Sequence, residues 1–313
     1  MKGGQVRSLH HLGRWRLLGL LAVVAAVAVA IPAASGAGPF ARAGSKTLCS
    51  HECSAAALFS PATLKRGEMK GSILHKSAMA ATCTGGSIAP GKYLSLKITG
   101  FCTVDQGPVK VWHSVYVAPN AGLIAAFGDG PQLAIGGSLY VERNAVLVLG
   151  CEPEAFACIN DPDQSVGTFS SKGTVYGNLS ATNALAVIVH DAHVGGNLRI
   201  HQGGGGYNCD PQDALFGSPA YATVEDVSVG GNATIDHMQT CWLGLFRTTV
   251  GGWVKYQNNS TADPDGNEVD TNVVQGNFAC SGNNPAAQVG DSQGFPNIAF
   301  GKATGECASL SSP

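Results

Sequence analysis

The chain has 313 residues, of which 42 are glycine and only 13% are charged, and its formal net charge at pH 7 is −2. Without the basic residues of its first 16 positions, 15 basic and 21 acidic residues leave −6, and no basic stripe is present, which excludes a nucleic-acid binder. The low charge implies a surface rich in Asn, Gln, Ser, Thr and Gly, which suits carbohydrate contact and plain solubility alike.

Lys2, Arg7, Arg14 and Arg16 precede an apolar run from Leu17 to Ile31, and small residues Pro32 to Ala37 follow. Basic, apolar, small is the order of a secretory signal peptide, assigned to residues 1–36 with cleavage within about 34–43. The apolar run of 15 residues is short for a bilayer span. The expected mature protein is therefore exported, without a membrane span. Residues 37–82 are rich in Ala and Ser and are read as a linker or helical cap, with short helix expected around Ser54–Met79.

Residues 83–282 carry a seven-residue phrase that starts at Ile135, Val175, Val194, Val229, Val250 and Val274. The starts are 40, 19, 35, 21 and 24 residues apart, a basic period of about 20 and the mark of a stacked solenoid. Counted from zero, positions 0, 4 and 6 are apolar and the residues between them mostly polar, small or glycine. This period of two predicts strands with one buried face. Position 2 is always glycine (Gly137, Gly177, Gly196, Gly231, Gly252, Gly276), read as the bend where each coil enters its main strand. Position 3 is Asn178, Asn197, Asn232 and Asn277, which fits an asparagine ladder or an ordinary turn preference. A degraded copy starts at Val111, with His113 in place of the glycine. Second apolar runs at Val146–Leu149, Val187–Val189 and Val224–Val227 add another strand per coil. The fold expected is all-β: a right-handed parallel β-helix with N- and C-terminal caps. Excursions around 150–173 and 202–221 break the rhythm, and residues 283–313 are read as the C-terminal cap.

All ten cysteines follow the leader, and an even number in an exported chain argues for disulfides. Connectivity stays open; sequential pairing is the working expectation because neighbours in a solenoid are near in sequence. It gives Cys49–Cys53, Cys83–Cys102, Cys151–Cys158, Cys209–Cys241 and Cys280–Cys307. Zinc at Cys49-Ser50-His51-Glu52-Cys53 is the alternative for that pair.

Position 7 is polar in every copy: Glu142, Thr182, His201, Asp236, Gln257 and Ser281. If Val194 and Val229 begin adjacent coils, His201 and Asp236 stack within hydrogen-bond reach, with His237, His190 and Asp191 nearby. Such a His–Asp pair can act as a general base, whereas the plain reading is a solvent-facing strand end. Asp263, Asp265 and Asn267 place oxygens at alternate positions, as in the opening of a calcium loop. Glu268 stands where an EF-hand requires glycine, and a surface turn explains the same letters. No cofactor-binding pattern is present.

Thr240-Cys241-Trp242-Leu243-Gly244, Asp263-Pro264-Asp265 and the block from Gly276 to Gln288 resemble uncharacterised secreted β-helical proteins of actinobacteria. The coil phrase is also similar to that of bactofilin-type polymers, which lack this cysteine set. The resemblance covers roughly residues 83–307 and implies fold and export, without a substrate. The expected function is a non-enzymatic binding or structural module outside the cell, with a carbohydrate or cell-envelope component as partner. The alternative is a polysaccharide lyase or glycoside hydrolase acting in a lateral groove.

Overall fold

The computed structural model describes residues 79–126, 130–151, 170–210, 219–290 and 294–312. The signal segment, the Ser54–Ala78 stretch, and Cys49, Cys53 and Cys158 lie outside the described residues. Regular structure among the described residues is strand throughout, apart from one 3-10 turn at Glu306–Ala308. The strands form a parallel sheet of 19, a parallel sheet of eight and a two-stranded pair.

The phrase builds the large sheet by stacking like on like. Val175 pairs with Ile135 and with Val194, and Val229 pairs with Val194 and with Val250. Leu198 lies between Leu179 and Ala233. All eighteen residues at positions 0, 4 and 6 are at most 1% exposed. Each buried Val, Leu or Ile contributes roughly 1.5–3 kcal/mol relative to exposure, so the columns are the interior that holds the coils together.

Position 2 is the bend. The strand Ala192–Val194 ends at position 0 and the strand Leu198–Gly203 begins at position 4, with Gly196 between them. A Cβ on Gly196 would come within 2.4 Å of Asn178 Oδ1 and 2.8 Å of the Gly177 carbonyl oxygen. Glycine is required here by the close approach of the neighbouring coil's backbone rather than by a positive φ. Beside it the asparagine ladder is present. The N–H of Asn197 donates to Asn178 Oδ1 (2.8 Å), that of Asn232 to Asn197 Oδ1 (2.9 Å), and that of Trp253 to Asn232 Oδ1 (3.0 Å). Each amide oxygen thus bonds the next coil's backbone rather than its amide.

The second apolar runs form the eight-stranded sheet, where Val146–Leu149, Ala186–His190 and Ala222–Glu225 stack in register. Leu243–Phe246 and Asn267–Asp270 extend it. Leu147, Val187, Val224 and Leu245 join the main core, while Val146, Val148, Ile188 and Phe246 are equally buried on the opposite face. Both faces are covered at the middle strands of this sheet, which is why Val146–Leu149 and Ala186–Val189 read as continuous apolar runs.

Two corners use left-handed backbone mostly at residues other than glycine. Asn120, Asn144, Asn183, Gln202, His237 and Asn258 have φ between 54° and 62° and lie at or just beyond the end of the second strand of successive coils. Asp191, Asp226, Arg247 and Thr271 do the same after the eight-stranded sheet. Asn tolerates this region best, which accounts for its frequency in the first column.

The parallel ladder starts earlier and ends later than expected. Met79–Cys83 is a strand on Gly91–Ile98, so the ladder begins ahead of the expected start at residue 83. At the other end Asn297–Ala299 and Ala303–Gly305 pair with Val273–Val274 and Phe278–Ser281, so residues 283–313 include a further coil. Its phrase runs from Ala299 through Gly301 and Ala303 to Gly305; the apolar letters have shrunk to Ala and Gly, which hides it. The degraded copy at Val111 takes its place, with Val111 on Ile135 and Val115 on Leu139. Cys83–Cys102, Cys209–Cys241 and Cys280–Cys307 are disulfides, and Cys151 is disulfide-bonded as well.

Candidate functional site

Parallel register brings position 7 of adjacent coils together. His201 pairs directly with Asp236, and its Nδ1 lies 2.9 Å from Asp236 Oδ2. The next residue, His237, occupies the left-handed corner, with φ 59°, and its Nδ1 also lies 2.9 Å from Asp236 Oδ2. The two imidazoles meet edge to face at 5.6 Å, and Asn258 Nδ2 lies 3.4 Å from His237 Nε2. His237 is half exposed and Asp236 mostly buried. Asp236 Oδ1 is shut away from solvent and has no hydrogen-bond partner. The cluster therefore offers ring nitrogens and a carboxylate at one accessible corner, suited to proton transfer or to ligating an ion.

His190 and Asp191 do not join it. They sit at the corner after the eight-stranded sheet, on the other side of the coil path. His190 is fully buried, with Nε2 3.0 Å from Glu225 Oε1. Glu225 also accepts a hydrogen bond from the Thr223 hydroxyl, and its Oε2 lies 3.1 Å from an Arg247 guanidinium nitrogen. Arg247 reaches Asp226 through Nε at 3.0 Å. Burial by itself raises the Glu225 carboxyl; His190, Thr223 and Arg247 outweigh it and hold it below the ordinary carboxylate value. Asp191 pairs with Lys172 at 3.3 Å. These residues form an ion network inside the wall, away from the open corner.

The calcium-loop residues are not brought to one point. Asp263 Oδ1 accepts the N–H of Asp265, closing a local turn, and Asp265 is exposed. Asn267 is fully buried: its Oδ1 takes the Tyr256 hydroxyl and its Nδ2 donates to the Pro285 carbonyl. The turn reading accounts for this segment.

A further surface is not evident from the repeat pattern. Trp112, Tyr116, Tyr140 and Tyr176 are 37–62% exposed on the outer face of the large sheet. Tyr116 stacks on Tyr140 in register, while Trp112 and Tyr176 occupy position 1 with Gly136 between them. Lys97 pairs with Tyr116, and Lys110 places its ammonium 4.3 Å from the centre of the Trp112 ring. The signal is present in the letters: Tyr140 and Tyr176 are bulky exceptions at positions otherwise small or polar.

Compared with known families, curated proteins and solved structures, the chain matches none.

Proposed function

We propose that the protein is an exported right-handed parallel β-helix that works as a carbohydrate- or envelope-binding module without catalysing a reaction. The two parallel sheets with strands alternating between them support the solenoid, and the strong right-handed preference of parallel crossovers supports its hand. Disulfides support an oxidising compartment. The observation that carries the binding role is the platform of Trp112, Tyr116, Tyr140 and Tyr176, exposed on a rigid ladder and flanked by lysines. Trp112 and Tyr176 are two coil steps apart, about 9.6 Å, with glycine leaving the space between them open. Flat rings at that spacing suit stacking on successive sugars, and Lys97 and Lys110 favour an acidic glycan.

The test is retention of the purified mature protein on a panel of neutral and acidic polysaccharides. Wild type is expected to bind and Trp112→Ala/Tyr176→Ala to lose binding with an unchanged melting temperature. Retention of no glycan, or equal retention of both proteins, refutes the reading.

A polysaccharide-cleaving enzyme is the second reading, favoured by the His201–Asp236 contact. Glu142, the other carboxylate in that column, lies three coil steps from Asp236, about 14 Å by stacking distance. A hydrolytic carboxylate pair spans roughly 5–9.5 Å, so the column supports base chemistry, as in a lyase, rather than paired carboxylates. Product formation by wild type that is abolished in Asp236→Ala would establish this reading in place of the first.

A further inference from the structure

We infer that His201, Asp236 and His237 form a binding site for a divalent transition-metal ion of the zinc, nickel or copper class. Among the described residues this is the one group of three such side chains whose donor atoms all lie within 4.8 Å of one another. Its assembly follows from the fold. Coil register sets His201 against Asp236, and the left-handed corner at His237 turns a third donor onto the same carboxylate.

The geometry suits an ion. Ring nitrogen and carboxylate oxygen separations of 2.9 Å match neighbouring ligands at right angles around a metal with bonds of about 2.0–2.1 Å. Two nitrogens converge on Asp236 Oδ2 while Oδ1 of the same carboxylate is enclosed without a partner. A cation drawing on Asp236 Oδ2 and both ring nitrogens would replace these two contacts, and the carboxylate's enclosed Oδ1 has no competing partner to hold it elsewhere. Two imidazoles and one carboxylate favour borderline ions over calcium or magnesium, which prefer all-oxygen shells. Three protein ligands leave coordination positions open, and the exposure of His237 provides the way in. Thiolates do not compete, since every described cysteine is disulfide-bonded. The site stands apart from the aromatic platform, so it holds whether or not a glycan binds there.

The experiment uses the disulfide-intact, chelator-stripped mature protein, titrated calorimetrically with zinc, nickel and calcium salts. One zinc or nickel per chain is expected, with no calcium binding, and zinc is expected to raise the melting temperature because it binds only the folded chain. His237→Asn, which keeps a residue tolerant of the left-handed corner, and His201→Gln are each expected to weaken zinc at least about tenfold. His193→Ala, on an exposed strand position of the same coil as His201, is expected to change nothing. Circular dichroism without metal shows whether each variant folds; if one does not, Asp236→Asn takes its place, with the same expected loss. No zinc or nickel binding by wild type, or binding unchanged in the folded variants, overturns the proposal.

Discussion

Replacing Gly196 by valine tests the register of the whole stack. The first added carbon would sit 2.4 Å from Asn178 Oδ1 and 2.8 Å from the Gly177 carbonyl oxygen, and valine adds two methyl groups to it. Neither obstacle is free to move. The Gly177 oxygen belongs to the adjacent coil's backbone and accepts the Gly196 N–H, and Asn178 Oδ1 holds the Asn197 N–H. Overpacking costs about 1–3 kcal/mol, and losing the ladder bond costs roughly another 0.5–1.5 kcal/mol. Restricting the unfolded chain returns about 0.4–1 kcal/mol. The net loss is about 0.5–4 kcal/mol. For a body of this size each kcal/mol lowers Tm by roughly 2–4 °C, so the expected drop is about 1–16 °C, centred near 7 °C. Arg199→Ala, three residues along and pointing to solvent, is expected to cost at most about 0.5 kcal/mol. Scanning calorimetry of the oxidised proteins decides it. Equal melting temperatures for the two variants would refute the close approach at position 2, and with it the assignment of the glycine as a corner.

Glu225 contributes stability that is present above the ordinary carboxylate value of 4.5 and is lost as the pH falls through its depressed folded value. Wild type should therefore lose melting temperature as the pH falls below 4.5, whereas Glu225→Gln should start lower at pH 7 and fall less on acidification; parallel curves would contradict the buried network. Cys83→Ser/Cys102→Ser opens a loop 19 residues long at the first described coils and is expected to cost about 3 kcal/mol, seen as earlier proteolysis around residues 79–104; unchanged cleavage there would contradict it.

What the letters reveal depends on whether a structural demand admits one residue type or several. Position 2 is glycine in the six clear copies, and positions 0, 4 and 6 there are side chains that fill the interior, so both are legible in the sequence alone; His113 at position 2 and Gly305 at position 6 mark the copies that are harder to see. The corner after the eight-stranded sheet demands only a left-handed backbone. Gly150, Asp191, Asp226, Arg247 and Thr271 all supply it, and no shared letter marks the column. The last coil is hidden for a related reason, because Ala299 and Gly305 keep the register while losing the bulk. Pairing of His201 with Asp236 follows from counting residues along two phrases. The exclusion of His190 does not, since the coil path between it and His201 crosses both the position-0 strand and the glycine bend.

The same count explains why the metal-ligating group sits where it does. Side chains inside a strand of the large sheet alternate between a filled interior and a flat outer face, and neither turns two residues of one coil toward a single point. A left-handed residue directly after the strand does, because it reverses the chain while the preceding residue still stands in the ladder. Asp236 and His237 are that pair. The equivalent pairs elsewhere are Thr182 with Asn183, His201 with Gln202, Gln257 with Asn258 and Ser281 with Gly282, which present fewer ligating groups. Among the described residues, only where the coil of Val229 stacks on the coil of Val194 do a histidine in the ladder, a carboxylate above it and a histidine at the corner coincide. The register of the coils thus places this group at one corner, and a shift of that register by a single residue would dissolve the site and turn the apolar columns outward together.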